Sequence, residues 1–148
     1  MKALKHALVI MDKPKHDQIA FNRAQQLAKA LADAGEGAPE LQLKAFVYNE
    51  AVTDANLDVR DQTTLKRTLT RGRKTWLEEQ VAAAKAKGLE VKGDAVWTEA
   101  LARWTCEAVE SNAIDLVVKT VHKSKTLTHT PADWTLLRQC QAPLLLCT

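Results

Sequence analysis

The chain has 148 residues and a formal charge of +3, from 21 basic and 18 acidic side chains. That length suits one domain over residues 1–148, large enough to bury a core without disulfide or metal staples, and an apolar content of 46% excludes a disordered chain. The small positive excess gives no electrostatic case for nucleic-acid or membrane binding, and no apolar run reaches the length of a bilayer span. The apolar stretch near the N-terminus is short and runs into Asp12-Lys13-Pro14, so a signal peptide is not expected. Cys106, Cys140 and Cys147 form no C-x-x-C pair and read as reduced thiols of a cytoplasmic protein.

Leu4 to Met11 reads as a buried strand ended by Asp12-Lys13-Pro14. From Asp17 to Ala34, Ala20, Ala24, Leu27, Leu31 and Ala34 recur at steps of three and four, the spacing of one helical face. Asp17 is the expected cap and Gly35 the stop, with a turn through Pro39. A second strand covers Leu41 to Tyr48, and Asn49 to Asp58 reads as loop. A long helix is predicted from Val59 to Lys87, with Leu65, Leu69, Trp76 and Ala84 inward. Gly72 inside it, costing about 1 kcal/mol relative to Ala, marks either a break or a close contact.

Leu89 to Trp97 is the third strand, weakened by Gly93 and Asp94. A helix follows from Glu99 to Asn112, with Leu101, Trp104, Thr105 and Ala108 inward. Ile114 to Lys119 is the fourth strand, and Thr120 to His129 a polar loop. Thr130-Pro131-Ala132-Asp133 opens a helix with a cap, a first-turn proline and an acidic residue three on. It runs to Cys140, and Pro143 to Cys147 is the last strand. Strands alternating with helices predict right-handed crossovers and a parallel sheet, an α/β fold.

Three segments resemble universal stress proteins. Leu8-Val9-Ile10-Met11-Asp12 is similar to their first strand, which ends in an aspartate. Asp115 to Lys119 is similar to their fourth, and Leu136-Leu137-Arg138 with Ala142-Pro143-Leu144-Leu145 to their last helix and strand. The stretch Lys119 to His122, then Thr130 to Cys140, resembles the first domain of the E-type subgroup, as do Trp76 with Glu79-Gln80 and Trp97. The resemblance implies an open five-stranded sheet in the order 3-2-1-4-5 with helices on both faces, an adenine-nucleotide alpha-hydrolase-like fold. It implies homodimers or tandem-domain pairing, and a role in stress survival rather than a defined reaction.

ATP-binding members of that family carry a glycine motif after strand four, where backbone N–H groups and a helix N-terminus meet phosphates. Here that register falls on Thr120, Lys123, Asp133 and Trp134, or from the other end on Thr130 and Pro131. No glycine follows Gly93. ATP binding in the family manner is therefore not expected, and no cofactor is implied.

In an open parallel sheet, ligands sit beyond the strand ends where the order reverses. Candidate ligand residues there are Asp12, Lys119, Thr120, His122, Lys123 and Thr130. They suit an anionic small molecule, and the alternative is a solvated basic loop covering a dimer partner. For Asp12 the alternative is a turn residue. The four histidines and three cysteines have no metal-ligand spacing, and no nucleophile motif is present, so no catalytic residue is assigned. Cys106 and Cys140 read as buried apolar thiols. The basic run Lys66, Arg67, Arg71, Arg73, Lys74 reads as a solvated helix face, because no aromatic side chain interleaves it to receive nucleic acid. Dimerisation is expected through the exposed edge of the last strand.

Overall fold

A computed structural model of the chain describes residues 3–53, 57–121, 135–136 and 138–148. Five short segments form its strands: β1 (His6–Ile10), β2 (Glu40–Val47), β3 (Val91–Trp97), β4 (Leu116–Thr120) and β5 (Leu144–Cys147). All pair in parallel, in the order β3-β2-β1-β4-β5. β1 is central, and its residues are apolar on both sides because both sides are covered. Ala7 and Val9 enter one buried cluster, Leu8 and Ile10 the other.

The first cluster lies under α1 (Ile19–Asp33) and α2 (Val59–Ala86), the second under α3 (Leu101–Ser111) and Leu136. Helices thus cover both faces, as the element pattern requires. Residues 135–136 and 138–139 are helical, and the Cys140 amide donates to the Leu136 carbonyl at 3.0 Å. The predicted opening of that helix, Thr130 to Asp133, lies outside the described residues.

α1 ends where the sequence says it must. Gly35 takes φ 79°, its amide donates to Ala32 O and that of Glu36 to Leu31 O. The left-handed residue lets both N–H groups turn back onto the last carbonyls. Its start differs from expectation. Asp17 is not the cap: Gln18 holds that position with no side-chain bond to the helix amides. At α2 the local rule holds, since Asp58 accepts from the Asp61 amide at 2.8 Å.

Several expectations are corrected. Leu65 and Leu69 are exposed rather than inward, and from Val59 to Trp76 no residue of α2 is buried. The reason is length. A helix of 28 residues runs about 42 Å at 1.5 Å per residue, against about 23 Å for the seven residues of β3. Much of α2 therefore overhangs the sheet, and only its second half, with Leu77 and Ala84, finds a core. Gly72 marks neither a break nor an internal contact: the helix is continuous, and a Cβ there would meet nothing within 4 Å. Gly93 does not interrupt β3. It is where α2 rests on the strand, since a Cβ would stand 3.1 Å from the side chains of Leu77 and Val81. The segment after β2 contains a 3-10 turn (Glu50–Thr53) that buries Val52. Thr120 closes β4 instead of opening the loop.

Candidate functional site

The sheet order reverses at β1, so the crevice that can hold a ligand lies beyond the ends of β1 and β4. Asp12 follows β1 and is 8% exposed; Thr120 ends β4 and is 2% exposed. The Thr120 hydroxyl donates to Asp12 Oδ2 at 2.7 Å and accepts from the Ala20 amide at 3.0 Å. One hydroxyl thus ties the two strand ends together and satisfies an N-terminal N–H of α1. Thr120 does the work expected of Asp17, from 100 residues away, and no local pattern could reveal that.

The loop between β1 and α1 is held by Gln18. Its side chain accepts from the Asp12 amide at 3.0 Å, and its Nε2 donates to the carbonyls of Asp12 and Lys13 at 3.0 Å. A turn bond from the His16 amide to Lys13 O, 2.9 Å, completes the loop. These bonds present Lys15, His16 and Asp17 to the crevice, an open cavity of about 610 Å³ that Thr120, Val121 and the terminal Thr148 also line.

Lys119 is 6% exposed and its Nζ donates to the Thr120 carbonyl at 3.1 Å. Successive strand residues alternate between faces: Leu116 and Val118 pack into the first cluster and Val117 into the second. Lys119 therefore leaves β4 on the side opposite Thr120. Of the three candidate residues that are described, the structure brings Asp12 and Thr120 together, and among these three only Thr120 lines the cavity. His122, Lys123 and Thr130 lie outside the described residues. Sequence reasoning passed over Lys15, His16 and Asp17, although the strand-end rule that selected Asp12 points to its neighbours too. Gln18 and Thr148 carried no signal.

The thiols near the sheet are poor nucleophiles. Cys147 is buried beside the crevice; burial pushes its thiol up, the Arg23 charge draws it down and the Asp12 charge raises it, with a net rise. Cys106 is half-buried on α3, and burial together with the neighbouring Cys140 thiol pushes it up to about 11. Both Cys106 and Cys140 are thus less buried than expected. Among the described residues no group of three His, Cys, Asp or Glu side chains is placed to hold a metal, and no helix is long and apolar enough to cross a membrane.

No protein-family model matches the chain. Curated relatives and solved structures do. Universal stress protein E of Escherichia coli K12 is 29% identical over 147 residues, 97% of this chain and 45% of that protein. In sequence the chain is similar to the E-type universal stress proteins. It spans about half the length of the curated relatives it matches. In fold it is similar to the universal stress protein UspA from Lactobacillus plantarum, with a TM-score of 0.75, 11% identity and 100% of both chains covered. A universal stress protein solved in complex with cAMP aligns with a TM-score of 0.54 and 12% identity, over 98% of this chain and 97% of that one.

Proposed function

We propose that this chain is a cytoplasmic, non-catalytic stress-response protein, a single domain that acts by pairing through β5 or by binding a protein partner, without ATP binding of the family kind. The observation that carries this reading is the outer edge of the sheet. β5 is the last strand in the order, its Leu145 is 39% exposed, and Leu144 and Leu146 beside it are half-buried. An apolar edge strand with unpaired backbone groups is a template for another strand. Two copies related by a two-fold axis would pair β5 antiparallel to itself. The relatives' greater length leaves room for a second domain at the same edge.

The absence of catalysis and of ATP binding is supported by the chemistry present. The chain has no glycine beyond Gly93 to bring a backbone close to phosphates. Asp12 and Thr120 bond to each other at the crevice, and the raised thiols of Cys106 and Cys147 suit packing rather than attack.

A second reading is a sensor of an anionic metabolite such as a nucleotide. The cavity of about 610 Å³ with Lys15 and His16 on its wall favours it, as does the similar fold solved with cAMP. Native mass spectrometry under gentle and denaturing conditions separates the two. The expected result is a dimer carrying no small molecule. A phosphate-bearing compound released on denaturation would replace the first reading with the second, and a monomer with no passenger would sink the pairing claim. As a check, cAMP and inorganic phosphate are expected to leave the melting temperature unchanged, whereas a ligand at about 100 times its Kd would add about 2.7 kcal/mol.

A further inference from the structure

The overhanging half of α2 carries an unusual charge distribution. Between Asp61 and Glu78 the sequence has no acidic residue and five basic ones, Lys66, Arg67, Arg71, Arg73 and Lys74. None of the five makes an ion pair among the described residues. At 1.5 Å rise per residue, Arg67, Arg71 and Lys74 stand about 5 Å apart along the axis on one side of the helix. An array of like charges held on one side of a helix without counter-charges is destabilising for the free protein, and an anionic polymer would relieve it.

The sequence lacks an aromatic residue within this run, and that absence argued against nucleic acid. The fold supplies the missing part from elsewhere. Trp97, at the end of β3, forms one wall of a shallow groove of about 430 Å³ whose other residues are Lys66, Arg67, Thr70, Arg71 and Lys74. The Lys66 ammonium lies 5.8 Å over the indole ring. Tyr48, which follows β2 and is 39% exposed, stands beside it with ring centroids 5.8 Å apart and planes tilted by 56°. The indole and phenol come from neighbouring strands, since Val47 and Trp97 are register partners. Aromatic faces flanked by cations form the combination that holds single-stranded nucleic acid: bases stack on the rings, and phosphates meet the cations.

We infer that the groove between α2 and the end of β3 binds single-stranded nucleic acid, with Trp97 and Tyr48 as the stacking platform and Lys66, Arg67, Arg71 and Lys74 as phosphate contacts. An acidic peptide fits less well. A peptide of acidic residues meets the cations but brings no flat faces to stack on the indole and phenol, whereas every base does. The exposed Leu65 and Leu69, one turn apart on α2, form an apolar pair outside the groove lining. The site lies at the β3 side of the sheet, away from the crevice and from β5, so it is independent of the pairing proposed above.

The test is fluorescence anisotropy of a fluorescein-labelled oligothymidylate of about 20 nucleotides, titrated with the full chain at salt from about 50 to about 200 mM. The expected result is saturable binding that weakens with salt. Replacing Arg67, Arg71 and Lys74 by alanine, at exposed positions with circular dichroism unchanged, should lower affinity at least tenfold. It should also flatten the slope of log K against log salt by about 2, at about 0.7 per single-strand phosphate contact. Trp97→Phe should weaken binding severalfold while leaving the slope in place. The Leu145→Lys variant should bind as the wild type does. Absence of binding at low salt overturns the inference, as does a triple variant with unchanged slope. So does equal binding of a labelled duplex with no effect of Trp97→Phe, or binding of a labelled poly-glutamate peptide in place of the oligonucleotide.

Discussion

The two outer strands of this sheet manage the same problem in opposite ways. β3 exposes Lys92, Gly93 and Asp94 along its length, whereas β5 offers Leu144, Leu145 and Leu146. On β3 the charges are tied into the sheet: Lys92 Nζ lies 3.3 Å from Glu40 Oε1 and Lys44 Nζ 4.0 Å from Asp94 Oδ2. Charged side chains on an edge oppose the addition of another strand, since a newcomer would have to desolvate them. α2 also braces β3 from one face, closely enough that a Cβ at Gly93 would stand 3.1 Å from Leu77 and Val81 side-chain atoms. β5 is four residues long, with neither charges nor such a brace among the described residues. The contrast teaches that edge chemistry, more than position in the sheet, decides where a second chain can join.

Three experiments sharpen or break that contrast. The largest effect is expected at the braced edge. Gly93→Ala pushes a Cβ against Leu77, which is 1% exposed, and should cost about 1–3 kcal/mol as overpacking. Urea denaturation measures it, and an unchanged midpoint would mean that α2 does not bear on β3 as described. Next, Leu145→Lys gives β5 the chemistry of β3. It should raise the dimer dissociation constant at least tenfold, about 1.4 kcal/mol, by sedimentation velocity, with melting temperature little altered. A variant that dimerises like the wild type would move the interface elsewhere.

The smallest effect concerns the charges of the β3 side. Burial raises the Glu40 carboxyl, but bonds to Lys92 and Gln42 and the charges of Lys92 and His6 outweigh it and leave the group below its ordinary value of 4.5. A lowered folded-state value means the folded chain holds the charged form more firmly than the unfolded one does. The resulting stabilisation is present above pH 4.5 and is lost as pH falls through the lowered value. The stability difference between wild type and Glu40→Gln should therefore be under about 1 kcal/mol at neutral pH and shrink on acidification. A difference that grew with acid would reverse the assignment.

Much of the fold is legible in the residues themselves. The strands announce themselves as short apolar runs, and the stop of α1 at Gly35 and the cap of α2 at Asp58 are decided by neighbours within a few positions. Leu65 and Leu69 mislead because helical spacing shows which residues share a face, not whether anything lies under it. The candidate site was legible only in part. That Asp12 stands at a strand end where the sheet order reverses is legible, but its bond to Thr120 is not, since it joins residues 108 positions apart.

The sequence by itself determined the α/β order, the absence of glycine beyond Gly93, and the concentration of positive charge on one stretch of α2. These depend on residue identity and short spacing, which the chain carries wherever it is folded. Tertiary structure alone decided that Thr120 caps α1. It also decided that Trp97 and Tyr48 stand beside the basic helix. Each of these depends on the register of parallel strands and the overhang of one long helix. Register and overhang are settled by the packing of whole elements against each other, and no window of sequence contains them.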